Sequence, residues 1–176
     1  MKHIVEAVCT GTARPFNGAE LSAITKRPRD GAVQVLIEGL APDEQADRSV
    51  HGGPEMALHL YPLDHHAWWR GEIGDHPALD EPGGFGSNLA VTGMTEDMVH
   101  IGDRFRLGSA LVEVTQARQP CWKLDHRFGR CLTPAPDTVA VERRDRRKVE
   151  GIKHFLKRRR NGIAEGQGQA LETCDV

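Results

Sequence analysis

Apolar and polar residues alternate loosely over HIVEAVC (3–9), and this spacing predicts a strand that Gly11 ends. AVQVLIEGL (32–40) is rich in β-branched residues and predicts a second strand over 32–39. A polar, turn-like run follows from Ala41 to Glu55. MALHLY (56–61) predicts a third strand, stopped by Pro62. LDHHAWWRGEI (63–73) has helical spacing, with Leu63, Ala67 and Ile73 beside the Trp68-Trp69 pair. A long loop over 75–87 leads to a short strand in NLAVTG (88–93), and TEDMVHIGD (95–103) holds at most one helical turn. The clearest local pattern is RFRLGSALVEVTQ (104–116). Alternating runs near 104–107 and 110–117 flank Gly108-Ser109, the arrangement of a tight β-hairpin. These short strands joined by Gly-rich turns predict a mainly β fold, a barrel or sandwich with a few short helices.

The pattern changes after about Arg130. VERRDRRKVEGIKHFLKRRRNG (141–162) carries only Val149, Ile152, Phe155 and Leu156 as a narrow apolar stripe, which predicts a helix over 142–160 loosely attached to the rest. Residues 163–176 are rich in Gly and Gln and are expected to be mobile and dispensable. The organisation that follows is a β domain over 1–130 and a basic C-terminal segment over 131–176, partly helical and then disordered.

Composition narrows the functional classes. A chain of 176 residues suits one domain, and a mean hydropathy of −0.47 with no long apolar run argues against a membrane span. The N-terminus MKHIVEAVCTG lacks the apolar region and cleavage site of a signal peptide, so a cytoplasmic protein is expected. The 23 Lys and Arg nearly balance the 25 Asp and Glu, and the net charge of −2 disfavours binding of nucleic acid over the whole surface. The Lys/Arg-rich stretch 143–160 leaves phosphate-backbone binding as a minor alternative to a solvated helix face. Cys9, Cys121, Cys131 and Cys174 include no C-x-x-C pair, which fits free thiols rather than a zinc or redox motif.

Among candidate chemical groups, the sharpest is QARQPCWK (116–123). Cys121 leaves a predicted strand through Pro120, with Arg118 and Lys123 close in sequence, and cations near sulfur favour the thiolate that binds soft metals or attacks electrophiles. A small cysteine buried at a strand end is an equal alternative at this point. The turn His51-Gly52-Gly53-Pro54 combines backbone amides that could approach an anion with a titratable ring, although an ordinary turn would look the same. Asn88, in FGSNL (85–89), offers both donor and acceptor. A dinucleotide-binding loop there fails, because Leu89 stands where the third glycine belongs. His51, His59, His65, His66 and His76 lack metal-pair spacing, and the two tryptophans read as packing residues. There is no nicotinamide or flavin fingerprint, no nucleophile elbow and no iron–sulfur spacing.

Taken in order, D-x-x-V-H-G-G-P (47–54), A-L-H-x-Y-P (57–62), F-G-S-N-L (85–89) with Gly93 and Glu96, I-G-D-R-F-R-L-G (101–108) and Q-A-R-Q-P-C-W-K (116–123) resemble the MOSC domain family, in particular its stand-alone bacterial YiiM-like branch. The likeness runs from about Val5 to about Phe128. It implies a β-dominated barrel that holds molybdenum cofactor (molybdopterin), with Cys121 as the protein ligand to molybdenum and so the residue at the centre of catalysis. It further implies reduction of N-hydroxylated compounds, such as 6-hydroxylaminopurine, with electrons from a separate donor protein. Arg118, Asn88 and the His51-Gly52-Gly53 turn would then serve the phosphate and pterin of the cofactor. A carrier module that binds the cofactor without turnover is the alternative. This chain departs from the family pattern at Ser87, where Glu is usual, at Met56, where Lys or Arg is usual, and after Arg130, where the usual T-G-x-x-G-W-Y-like segment is not recognisable.

Overall fold

The structure is a computed structural model that describes residues 2–49, 51–118, 120–132, 138–143 and 173–175, with Lys2 and the last two segments described by their backbone alone. Among the described residues most elements are strands, with two short α-helices. The N-terminal alternation forms β1 (Lys2–Thr10). A small hairpin follows, made by β2 (Arg14–Asn17) and β3 (Glu20–Ser22). Its turn begins at Gly18, where a φ of +58° needs glycine. The polar, mostly exposed runs that flank this Asn-Gly turn carry no alternation that would mark it as a hairpin. β4 (Arg27–Pro28) pairs with the end of β1 at Cys9 and Thr10.

The strand expected over 32–39 is the clearest correction. Only the two-residue pieces β5 (Val35–Leu36) and β6 (Gly39–Leu40) pair there. Leu36 and Ile37 are 40% and 46% exposed, so the β-branched run is not a core strand. A 3-10 turn over Pro54–Met56 leads into β7 (Leu58–Pro62), and the helical spacing beyond it forms α1 (Asp64–Ile73). The expected loop contains a 3-10 turn over Pro77–Asp80, and the next short strand is β8 (Leu89–Thr92). The hairpin is present as β9 (Arg104–Leu107) and β10 (Ala110–Arg118), with Leu107 opposite Ala110. After Cys121 the chain turns into α2 (Trp122–Phe128), ended by the left-handed Gly129.

β11 (Thr138–Arg143) lies between β10 and β7 and is central to the main sheet. The sheet therefore does not stop at residue 130, and Glu142 and Arg143 are strand rather than helix. The remainder of the helix expected over 142–160 lies outside the described residues. So does most of 163–176, of which Thr173–Asp175 form β12. The main sheet runs β12-β9-β10-β11-β7-β8-β1-β4, and β12 pairs with both β9 and β1. Among the described residues, the strands up to residue 143 form an open sheet between β9 and β1, bridged only by the three residues of β12. The expected β-dominated class is observed, but as a curved open sheet rather than a barrel that residues 1–130 close by themselves.

One side of this sheet is the main core. Val8, Leu58, Leu60, Leu89, Val91, Phe105, Leu107, Val112 and Val114 pack there, each 9% exposed or less. Each such side chain removed from water stabilises the fold by about 1.5–3 kcal/mol. Two register shifts adjust which residues reach it. The shift between Val5 and Ala7 lets both Val5 and Val8 pack against this core despite their odd spacing. The shift between Val114 and Gln116 reverses the alternation of β10. Beyond it, Gln116 lies opposite Ala140, which lies opposite His59 of β7. Arg118, two residues on, thus shares the face of His59, opposite to that of Leu60.

Candidate functional site

That second face opens into a solvent-open cleft with about 120 Å³ of water-accessible space. Its floor is aromatic. Tyr61 from β7 stacks on Phe85 with ring centres 4.3 Å apart and planes 10° from parallel, and Phe85 stacks in turn on Trp69 of α1 at 5.7 Å. The Trp69 indole N–H donates to the Tyr61 hydroxyl at 2.7 Å. Phe128 of α2 closes the stack from the far side of Phe85, at 4.9 Å. Of the tryptophan pair expected to pack, Trp69 is buried and also lines the cleft, whereas Trp68 is 44% exposed.

A buried ionic network makes one wall. The Lys26 ammonium contacts both carboxylate oxygens of Asp43 at 2.5 Å, with the two side chains 8% and 2% exposed. Asp43 also accepts the Gly11 N–H at 2.8 Å and the Asn88 amide at 2.9 Å. Gly11 is required there, since a Cβ would sit 2.7 Å from the Ala23 carbonyl oxygen. Burial pushes the Lys26 pKa below the usual lysine value, opposed by the charge of Asp43. A buried charge is tolerated only when paired, so the two side chains depend on each other. Neither was visible as a site residue in the sequence, where both stand in polar, turn-like segments.

Asn88 is at the cleft but is largely committed to the protein. Its amide also donates to the Cys9 carbonyl at 3.2 Å, and its side-chain oxygen accepts the His59 N–H at 3.1 Å. It therefore acts as a clamp joining β1, β7 and Asp43, which corrects its expected role as a free two-way partner for a ligand. His59 faces the Gly86 carbonyl through Nδ1 at 3.4 Å, and burial, with Arg118 adding to it, pushes its pKa down to about 3.

The opposite rim carries the residues picked out in the sequence. Arg118 lies 2.8 Å from Nδ1 of His51 and 3.6 Å from the sulfur of Met56. A guanidinium can only donate, so Nδ1 of His51 is the acceptor and the neutral ring carries its proton on Nε2. Burial, then Arg118 and Lys123, lower the pKa of His51, while burial lowers that of Arg118. Cys121 is half-buried, is a free thiol and precedes α2 in an extended conformation. Lys123, the second residue of that helix, is 9% exposed and lines the same cleft.

His51, Asn88, Arg118 and Cys121 thus line one cleft although up to 70 residues separate them along the chain. Gly52 and Gly53 do not line it. The absent Cβ of Gly52 makes room for the Gln45 side-chain oxygen, which a Cβ would approach to 2.4 Å, and Gly53 accepts the Met56 N–H that begins the 3-10 turn. Both glycines thus serve the packing of the loop that presents His51, and their expected place among the groups lining the cleft is not observed. His65 and His66 also lie outside the lining, His65 paired with Glu96 at 2.8 Å and His66 with the Leu79 carbonyl at 2.8 Å. Among the described residues no cluster of three or more His, Cys, Asp or Glu has the arrangement of a metal site. None of the described helices is long and apolar enough to cross a membrane.

The mostly-strand fold is the one that the sequence likeness implied, and Cys121 and Arg118 line its cleft. The model of the MOSC domain matches residues 47–167, and the chain belongs to that family. It is 42% identical over 121 residues to protein YiiM of Escherichia coli, an alignment covering 69% of this chain and 54% of that protein. It is 44% identical over 114 residues to a protein of Gibberella moniliformis named reductase, covering 64% of this chain but 20% of that protein. The chain thus spans about half the length of the bacterial relative and less of the fungal one. The solved structure of YiiM from Geobacillus stearothermophilus is similar with a TM-score of 0.62 and 25% identity, over 80% of this chain and 67% of that one.

Proposed function

We propose that the cleft holds molybdenum cofactor and that the protein reduces N-hydroxylated compounds with electrons from a separate donor protein. The observation that carries this reading is that Cys121, Arg118 and Lys123 all line this one cleft. The donor set suits the group: a half-buried sulfur is a soft ligand for molybdenum, and two cations beside it suit a phosphate. When bound, the cofactor would supply two-electron oxygen-atom chemistry, in which R–NHOH, two electrons and two protons give R–NH2 and water.

The protein's own contribution is ligation, orientation and charge. Cys121 would hold the metal, and Arg118 and Lys123 would hold the phosphate. His51, kept neutral and carrying its proton on Nε2, would offer a donor to a polar group entering the cleft. The Lys26–Asp43 pair and Asn88 hold the wall in place. The aromatic floor excludes water from beneath the bound molecule. The family resemblance and a relative named reductase support the redox direction of this reading.

The test is metal and pterin analysis of protein purified from a host that makes molybdenum cofactor. Parent protein should carry molybdenum, and Cys121→Ser should lose it while Cys9→Ser and Cys131→Ser retain it. With reduced methyl viologen as donor, parent protein should convert 6-hydroxylaminopurine to adenine. Equal molybdenum in parent and Cys121→Ser would overturn the ligand assignment, and loaded protein without turnover would leave a cofactor carrier as the function.

A further inference from the structure

We propose that the Tyr61 hydroxyl donates a hydrogen bond to the molecule that enters the cleft, selecting flat, uncharged ring systems that carry an acceptor at their inner edge. The valence of two buried groups fixes where the hydroxyl proton can go. The indole N–H of Trp69 can only donate, and it lies 2.7 Å from the Tyr61 oxygen. That oxygen is therefore an acceptor in this bond, and its own proton must point elsewhere. Among the described residues, no acceptor receives it.

An unused hydroxyl donor is costly at this position. Tyr61, Trp69 and Phe85 are 2%, 3% and 4% exposed, and all three line the cleft. A buried polar group without a partner forfeits free energy that an incoming acceptor recovers. The ring cannot swing away to find water, because it is stacked on Phe85 at 4.3 Å and tied to Trp69 at its hydroxyl. Burial also raises the phenol pKa, so the group stays a neutral donor throughout the ordinary pH range. The surroundings state what it would accept as a partner. Tyr61, Trp69, Phe85 and Leu132 form an apolar floor that suits an uncharged planar ring, and the hydroxyl supplies one directional contact.

This inference rests on the reading of the cleft as a substrate site for N-hydroxylated rings. The test uses equilibrium dialysis of the full chain with 6-hydroxylaminopurine, whose ring has acceptor nitrogens, and with N-phenylhydroxylamine, whose ring has none. Four proteins are compared: parent, Tyr61→Phe, Trp69→Phe and the double variant. Tyr61→Phe leaves the indole N–H unpaired and should lower stability, whereas the double variant removes both partners and should recover much of that loss. Stability and recognition are thereby separated. Both variants lacking the hydroxyl should bind 6-hydroxylaminopurine roughly three- to tenfold more weakly, the range expected for one hydrogen bond. Trp69→Phe keeps the hydroxyl but reshapes the floor, so any loss it shows should be equal for the two compounds, whereas Tyr61→Phe should weaken 6-hydroxylaminopurine alone.

Parent-like affinity of the double variant for 6-hydroxylaminopurine would overturn the proposal. So would an equal loss of both compounds in Tyr61→Phe, since that would make cleft shape rather than the hydroxyl decisive. Failure of the parent to bind either compound would overturn the substrate reading itself together with this inference.

Discussion

The two faces of β7 show how one short strand serves two different environments. Leu58 and Leu60 point into an apolar core where neighbours are interchangeable in chemistry and constrained only in volume. His59 and Tyr61, on the other face, meet partners that are specific in kind: the Gly86 carbonyl, the Trp69 indole, and a wall tied together by Asp43. The core face gains stability from area removed from water. The cleft face holds buried polar groups that are stable only while each partner is present. Loss of a core residue should therefore cost stability in proportion to its size, whereas loss of a cleft residue should cost either much or little according to what it leaves unpaired.

The strongest way to break this distinction is at Asp43. Asp43→Ala leaves Lys26 buried without its counter-charge and should destabilise the protein by about 3–5 kcal/mol in urea denaturation. The pair Lys26→Met with Asp43→Leu should be far less damaging than the single change, because no unpaired charge remains. An additive result would show that the wall is held by volume, as the core is.

On the core face, Leu60→Ala should cost about 2–5 kcal/mol through lost burial and a cavity. The measurement is again a urea midpoint, and the check is that the cleft is unaffected: the protein loaded with molybdenum should keep its metal per folded molecule. Coupled loss of both would mean that the two faces do not act independently.

Acid should separate the faces by a different route. The folded pKa of His59 is about 3, below the usual 6.5 of an unfolded histidine. The unfolded chain therefore binds more protons between these values, and the associated stability is present above pH 6.5 and is lost as pH falls toward 3. At pH 4 the loss from this group should be on the order of 3 kcal/mol. His59→Gln should have a flatter stability profile over pH 4–7 than the parent. Identical slopes would show that His59 is not the group that titrates.

The smallest expected effect is at the rim. Cys121→Ser changes one atom at a half-buried position, and stability should move by under about 1 kcal/mol. Thermal melting of the protein without metal should barely distinguish the two. A large loss would place Cys121 with the packing residues and remove it from the chemistry.

Much of the fold was legible from local pattern. β1, α1, β8 and the β9–β10 hairpin follow from alternation, helical spacing and Gly108-Ser109, all of which act over a few residues. The run over 32–39 misled, because β-branched content marks a strand only where a neighbour covers it, and Leu36 and Ile37 have no such cover. α2 was missed since its seven residues carry too short a periodic signal. β11 was missed because a polar, charge-rich neighbourhood hid a strand that the flanking β10 and β7 stabilise from outside.

The candidate site divides in the same way. The sequence by itself determined that Cys121, Arg118 and His51 stand at turns and strand exits, where backbone geometry leaves side chains accessible, and that β7 alternates leucine with polar-tipped rings. Only the tertiary structure decided that Asn88 is a clamp, that Gly52 and Gly53 serve loop packing, and that Lys26 and Asp43 form a wall. Those outcomes depend on partners far away in the chain, 45 residues from Asp43 to Asn88 and 79 from Cys9 to Asn88. A lone lysine or aspartate in a polar segment has every reason to remain in water, and it becomes a buried structural group only when the fold brings its counter-charge within hydrogen-bonding distance.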